Sequence, residues 1–239
     1  MLIDIDGTLL LGAPRAHTAA LAAAAQDVYG VPVAAEDIRA IGPAGRTDRE
    51  IARLVLGRRG LEDDAIRAEL DRWVARASDI YPALEPGFPP PRRAPGALEA
   101  LARLRASGAS LALLTGNLEP IAHAKMAAAG LGGWFARGGG AFGSDHDRRD
   151  ALVAIALARE GGATDVVVVG DTPRDIACAR AGGARCVAVT TGPHDAAALA
   201  AADAVVDGLR EAADVICGWS ARAAAERPHQ SPLARVTRS

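Results

Sequence analysis

Five short apolar runs punctuate the chain: Leu2-Ile3, Leu111–Leu114, Val166–Val169, Cys186–Thr190 and Ala204–Val206. None is long enough for a helix, and Val166–Val169 is β-branched throughout, as a strand covered on both faces requires. Between the runs the apolar spacing changes to the helical period. Leu98, Leu101 and Leu104 mark a helix stopped at Gly108. Thr172 as N-cap, Pro173 at the first helical position and Gly182 as the stop mark another. Strands alternating with helices predict an α/β fold, an open parallel Rossmann-like sheet flanked by helices, with Ala204–Val206 at its edge.

One long stretch departs from that alternation. From Pro14 to about Tyr81 the spacing is helical throughout. Ile66, Leu70, Trp73, Val74 and Ala77 lie on one helix face, Leu21, Ala25, Val28 and Tyr29 suggest a second helix, and Ile51, Leu54 and Val55 a third. Residues 14–85 therefore read as a small all-α domain inserted after the first strand, which leaves 1–13 and 95–216 as the α/β core. Six prolines between Pro82 and Pro95 forbid a helix or central strand there, so 86–94 is expected to be a semi-rigid hinge. With a second hinge near Leu10 to Pro14, the insert has what an opening lid needs. Residues 217–239, basic and carrying two prolines, are expected to be a disordered tail.

Composition narrows the function classes. Lys+Arg 27 against Asp+Glu 29 gives −2, which offers no surface for nucleic acid. Three cysteines, Cys178, Cys186 and Cys217, form neither a disulfide framework nor a CxxC pair, so reduced thiols are expected. No apolar run approaches the roughly 18 residues of a membrane span. Asp4 lies too near the start for a cleavable leader to precede it, although the first strand is short, and a chain beginning upstream would lengthen it. The expected setting is the cytoplasm.

The chemistry concentrates at strand ends. The first run stops at Asp4-Ile-Asp6-Gly-Thr8, where period-two alternation points both carboxylates the same way. Like charges that close call for a cation, and Mg²⁺ takes such oxygens together with a substrate phosphate. A plain strand-to-turn junction is the alternative. Leu111–Leu114 runs into Thr115-Gly116-Asn117, a hydroxyl, a glycine and an Asn able to cap the next helix. Asp171 ends the Val166–Val169 strand, and Asp175 stands at the third position of the following helix, where it favours the dipole. In the insert, Thr47 and Glu50 have capping-box spacing, and the Gly-Pro-Ala-Gly-Arg46 loop before them is also a possible anion site.

Asp4-x-Asp6-x-Thr8 after the first strand, Thr115 after a later one and Gly170-Asp171-x-x-x-Asp175 together resemble the motifs of the haloacid dehalogenase superfamily, in the manner of its phosphoglycolate-phosphatase-like members. The resemblance covers roughly residues 1 to 216. It implies that Asp4 is a nucleophile forming an aspartyl-phosphate and Asp6 a general acid and base. It implies a Mg²⁺ held by Asp4, the Asp6 carbonyl and Asp171, with Asp175 in support, and phosphate held by Thr115 and Asn117 beside Gly116. The helical insert matches a cap domain, whose loop at Arg46 would contact substrate.

The superfamily's balancing cation is open among three residues. Lys125, the only lysine, stands ten residues after Thr115, roughly 12–15 Å along a helix and far for a phosphate contact. Arg148 and Arg149 open the helix before Asp171, and Arg149 is preferred there; Arg can grip phosphate through two N–H groups. His146 nearby reads as a polar loop residue. The expected activity is Mg²⁺-dependent hydrolysis of a small phosphorylated metabolite, with a short phosphorylated acid or sugar favoured. A phosphosugar mutase, or an idle protein that only binds phosphometabolites, is the alternative.

Overall fold

The computed structural model describes residues 1–12, 14–163 and 165–226. In chain order its elements are β1 (Leu2–Ile3), β2 (Leu10–Leu11), α1 (Arg15–Tyr29), α2 (Ala35–Ala40), α3 (Asp48–Arg58) and α4 (Asp63–Leu84). Then come β3 (Arg92–Arg93), α5 (Ala97–Ala106), β4 (Ala112–Leu113), α6 (Glu119–Ala128), α7 (Leu152–Arg159) and β5 (Val167–Gly170). The chain continues through α8 (Pro173–Ala181), β6 (Arg185–Val189), β7 (Ala204–Val206) and α9 (Leu209–Glu226).

Five strands form one parallel sheet in the order β4–β1–β5–β6–β7. Alternation along each strand sorts its residues between two apolar layers. Ile3, Leu113, Val167, Val169, Val187 and Val189 pack with buried residues of α5 and α9 on one face. Leu2, Ala112, Val168, Cys186 and Ala188 pack with α7 and α8 on the other. Because Ile3 is in register with both Leu113 and Val169, the segments leaving β1, β4 and β5 emerge side by side. Those segments carry Asp4, Thr115 and Asp171 within their first two residues, so three chemistry-bearing residues distant in sequence share one edge of the sheet.

The insert is helical, as its pattern predicts, and packs around its own core. Ile66, Leu70, Trp73, Ala77 and Tyr81 of α4 face Ala20, Leu21, Ala24 and Ala25 of α1 and Ile51, Val55 and Leu56 of α3. Leu118 and Ile121 at the start of α6 join that same cluster, so the cap's apolar core continues into the α/β domain. The short helix α2 has no counterpart in the sequence reading.

Two expectations are corrected. The proline-rich window does not exclude a helix: α4 runs through Pro82 to Leu84, where the missing N–H costs one bond in the last turn only. Arg92 and Arg93 then pair antiparallel with Leu11 and Leu10, joining the two linkers as a ribbon. Nor does a disordered tail begin at residue 217, since α9 continues to Glu226. Leu209, Ala212, Ala213 and Ile216 are buried at helical spacing, and Cys217 and Trp219 pack against the same core. The Arg185 guanidinium lies 4.4 Å over the Trp219 ring. The expected tail over 227–239 lies outside the described residues.

Candidate active site

A cavity of about 370 Å³ opens between the C-terminal edge of the sheet and the cap, and Asp4, Asp6, Thr115, Asn117, Arg149 and Asp171 all line it. One carboxylate oxygen each from Asp4, Asp171 and Asp175 lies within 4.8 Å of the others. Burial first, then the neighbouring carboxylates, pushes Asp171 up to about 8; Asp4 is raised to about 7, chiefly by burial, against the pull of Arg149. Asp171 Oδ1 accepts the Thr8 hydroxyl at 2.8 Å, while its Oδ2 is buried with no partner among the described residues. A Cβ on Gly192 would stand 1.8 Å from that Oδ2, and one on Gly7 2.2 Å from it. Two glycines thus let the backbone wrap an acceptor that no described residue satisfies, and the donor set suits a hard divalent ion.

Asp6 does not share this cluster. β1 ends at Ile3, so strand alternation no longer governs the two carboxylates, and they diverge. Asp6 Oδ2 accepts Lys125 Nζ at 2.7 Å and Asn117 Nδ2 at 2.9 Å. Burial alone would raise its pKa, but the charges of Lys125 and His17 and these hydrogen bonds outweigh it and hold Asp6 below the usual carboxylate range.

Both expected cations reach the site, with different partners. Arg149, in a short 3₁₀ turn at Arg149–Ala151, donates to Asp4 Oδ1 at 2.9 Å and to Asp175 Oδ1. Asp175 also accepts the Thr172 N–H at 3.0 Å and hydroxyl at 2.7 Å, closing the capping box of α8. Its oxygens are thereby engaged, which places it in support of Arg149. Arg148 pairs instead with Asp150 in solvent. Lys125 reaches Asp6 because α6 begins at Glu119, but it is not among the residues that line the cavity. Asn117 does not cap α6; its amide donates to the Thr115 hydroxyl at 2.8 Å, and its oxygen accepts Lys125.

Two residues central to this arrangement have no signal in the sequence reading. Asp48 is buried and accepts the Leu118 N–H at 2.7 Å just ahead of α6, whose first N–H, of Glu119, goes to the Ser144 hydroxyl at 2.8 Å. Asp48 Oδ2 also lies 2.8 Å from His17 Nε2, and His17 Nδ1 lies 3.1 Å from Lys125 Nζ. A buried polar chain thus runs from the cap to Asp6. The cap loop is seated closely. Asp48 N–H donates to the Gly116 carbonyl at 2.8 Å, and a Cβ on Gly116 would stand 1.9 Å from the Arg46 carbonyl. Arg46 lines the cavity, but its guanidinium is held by Glu50 and by the Gly42 carbonyl at 3.1 Å. Thr47 caps α3 through the Glu50 N–H at 3.1 Å; the Glu50 side chain, drawn to Arg46, leaves the capping box half formed. In the core loop, Asp147 meets Arg49 and Arg53 of the cap at 3.0 Å each and Arg67 at 3.6 Å.

A parallel sheet with carboxylates at two strand ends and a threonine at a third, beneath a helical cap, defines a class, and residues 1–180 match the family model of haloacid dehalogenase-like hydrolases. The chain belongs to that family. It is 30% identical over 215 residues to "Probable phosphatase IndB" of Dickeya dadantii, a match covering 88% of this chain and 90% of the relative. Among solved structures, CbbY from Rhodobacter sphaeroides in complex with phosphate superposes with TM-score 0.64 at 19% identity, covering 88% of this chain and 94% of that one. A hydrolase from Pseudomonas syringae gives 0.63 at 22% identity, covering 90% and 96%. At these identities the structures speak for the fold alone. No helix among the described residues is long and apolar enough to cross a membrane.

Proposed function

We propose that the protein is a Mg²⁺-dependent phosphatase that hydrolyses a small phosphate monoester through an aspartyl-phosphate on Asp4. The observation that carries this reading is the pairing of Asp4 with the unpartnered Asp171 Oδ2 at one edge of the sheet, while Asp6 stands apart with its own cation. The name of the Dickeya dadantii relative supports the same reading.

Asp4 attacks phosphorus, the bond to the ester oxygen breaks, and Asp6 gives its proton to the leaving alkoxide. Lys125 keeps Asp6 ionised at rest; a substrate dianion brought beside it raises its proton affinity, and Asp6 takes from solvent the proton that it then gives to the alkoxide. Water then attacks the phosphorus of the aspartyl-phosphate, its proton returns to Asp6, and the bond to Asp4 breaks. Arg149 orients Asp4 and balances its charge, and Thr115 and Asn117 border the space for the phosphoryl group. Asp4 and Asp171, with the Asp6 carbonyl, would hold Mg²⁺, which supplies positive charge against the phosphoryl oxygens.

The three free cysteines suit a reducing compartment such as the cytoplasm. A phosphosugar mutase would need a site for a second phosphate, and the one arginine on the cap side of the cavity is already held by Glu50, which favours the hydrolase. Hydrolysis of p-nitrophenyl phosphate should stop in excess chelator and return on adding Mg²⁺. Undiminished hydrolysis in chelator would overturn the metal assignment.

A further inference from the structure

The wall of the cavity opposite Asp4 and Asp171 decides what alcohol can be attached to the phosphate. That wall comes from the cap and hinge and is formed by Leu11, Leu21, Ile38, Pro43, Ala44 and Ile51. Leu21, Ile38 and Ile51 are at most 6% exposed and belong to the cap's own core, so the apolar wall is rigid. Three ionisable side chains also border the cavity on this side, and each is committed. Asp48 holds the Leu118 N–H and His17; His17 faces Lys125 with its other nitrogen; Arg46 is held by Glu50 and the Gly42 carbonyl. An anionic group on the leaving alcohol would either break one of these contacts or be buried against hydrocarbon without a counter-charge, and both are costly.

We infer that the substrate is the monophosphate of an uncharged alcohol with a largely apolar body, and not a phosphorylated acid or a bisphosphate. This rests on the phosphatase reading for its phosphate end only. An apolar chain laid along Leu21, Ile38 and Ile51 gains by burial, about fourfold in affinity for each methylene that the wall covers. The short phosphorylated acid favoured by resemblance is the ligand that this wall excludes.

The test compares near-isosteric pairs with Mg²⁺ present. Hydrolysis of n-pentyl phosphate is measured against 4-phosphooxybutanoate, and binding of n-pentylphosphonate against 4-phosphonobutanoate by calorimetry, since phosphonates bind without turning over. The alkyl member should be favoured at least tenfold in each pair, with a steady gain from propyl to pentyl. Ala44→Lys, which places a free cation on the wall at an exposed loop position, should narrow the gap by raising the anionic members. Equal or tighter binding of 4-phosphonobutanoate by the unaltered protein would overturn the inference. If no ester is hydrolysed while the phosphonate preference holds, the hydrolase reading fails and the ligand class stands.

Discussion

Replacing Asp171 by Asn should make the metal-free protein more stable while abolishing turnover. The Asp171 carboxyl is pushed up to about 8 from an ordinary 3.8, first by burial and then by Asp4 and Asp175. At roughly 1.4 kcal/mol per pH unit between those values, keeping it in the fold at pH 8 costs about 5 kcal/mol as an upper bound. Relaxation and water entering the site reduce this, and about 2 kcal/mol is a realistic expectation. The Thr8 hydroxyl, 2.8 Å from Oδ1, can keep its bond to the amide oxygen of Asn. For a chain of this size about 2 kcal/mol corresponds to roughly 4–8 °C in Tm. The sign follows from a folded value above the unfolded one: the group's contribution is complete below about pH 4 and is lost as pH rises through about 8. Variant and wild type should therefore melt together near pH 4 and separate most above pH 8. Scanning calorimetry in EDTA across that range gives the comparison. Repeating it with Mg²⁺ should raise the wild type and leave Asp171→Asn unmoved. A variant that melts at or below the wild type throughout, in chelator, would mean that the carboxylate is already compensated and that its open oxygen is no cation position.

Asp4→Asn should abolish turnover of every monoester, and acid quench with peptide mass analysis of the wild type should place the phosphoryl adduct on Asp4; an adduct elsewhere refutes the mechanism. Lys125→Met removes the charge that holds Asp6 low, so the acid limb of the kcat profile should move to higher pH, and an unmoved limb would separate Lys125 from the proton transfers. Asp147→Asn weakens a carboxylate shared by Arg49, Arg53 and Arg67 across the cap seam. At about 1 kcal/mol, KM should rise roughly fivefold with Tm little changed, and an unchanged KM would leave those pairs as surface decoration.

Residues whose role is local were readable in the sequence. Asp4 and Asp171 end apolar strands, and Thr172, Pro173, Asp175 and Gly182 delimit α8 as their spacing says. What escaped depends on where elements lie relative to one another. The helical rise from Thr115 does not show where Lys125 ends, which is against Asp6, Asn117 and His17 behind the cavity wall. His17 and Asp48 look ordinary in sequence, since only the docking of cap on core brings them to Lys125 and Leu118. Asn117 carries a sound capping pattern, but the Ser144 hydroxyl takes the first N–H of α6 and the Asn117 amide turns to Asp6. The error at the tail was different in kind. Ile216 completes a helical stripe that was visible, and a basic, proline-containing end beyond it drew attention away.

The sharing of one apolar cluster between the cap and the first turn of α6 has a kinetic consequence. Swinging the cap away lays Leu118 and Ile121 open to water, so opening resembles a small local unfolding event. Such a step exposes surface, and it is therefore eased by low concentrations of urea and by warming. If the alcohol and phosphate leave only after that step, release governs turnover at saturation. A little denaturant would then make the enzyme faster before it makes it slower.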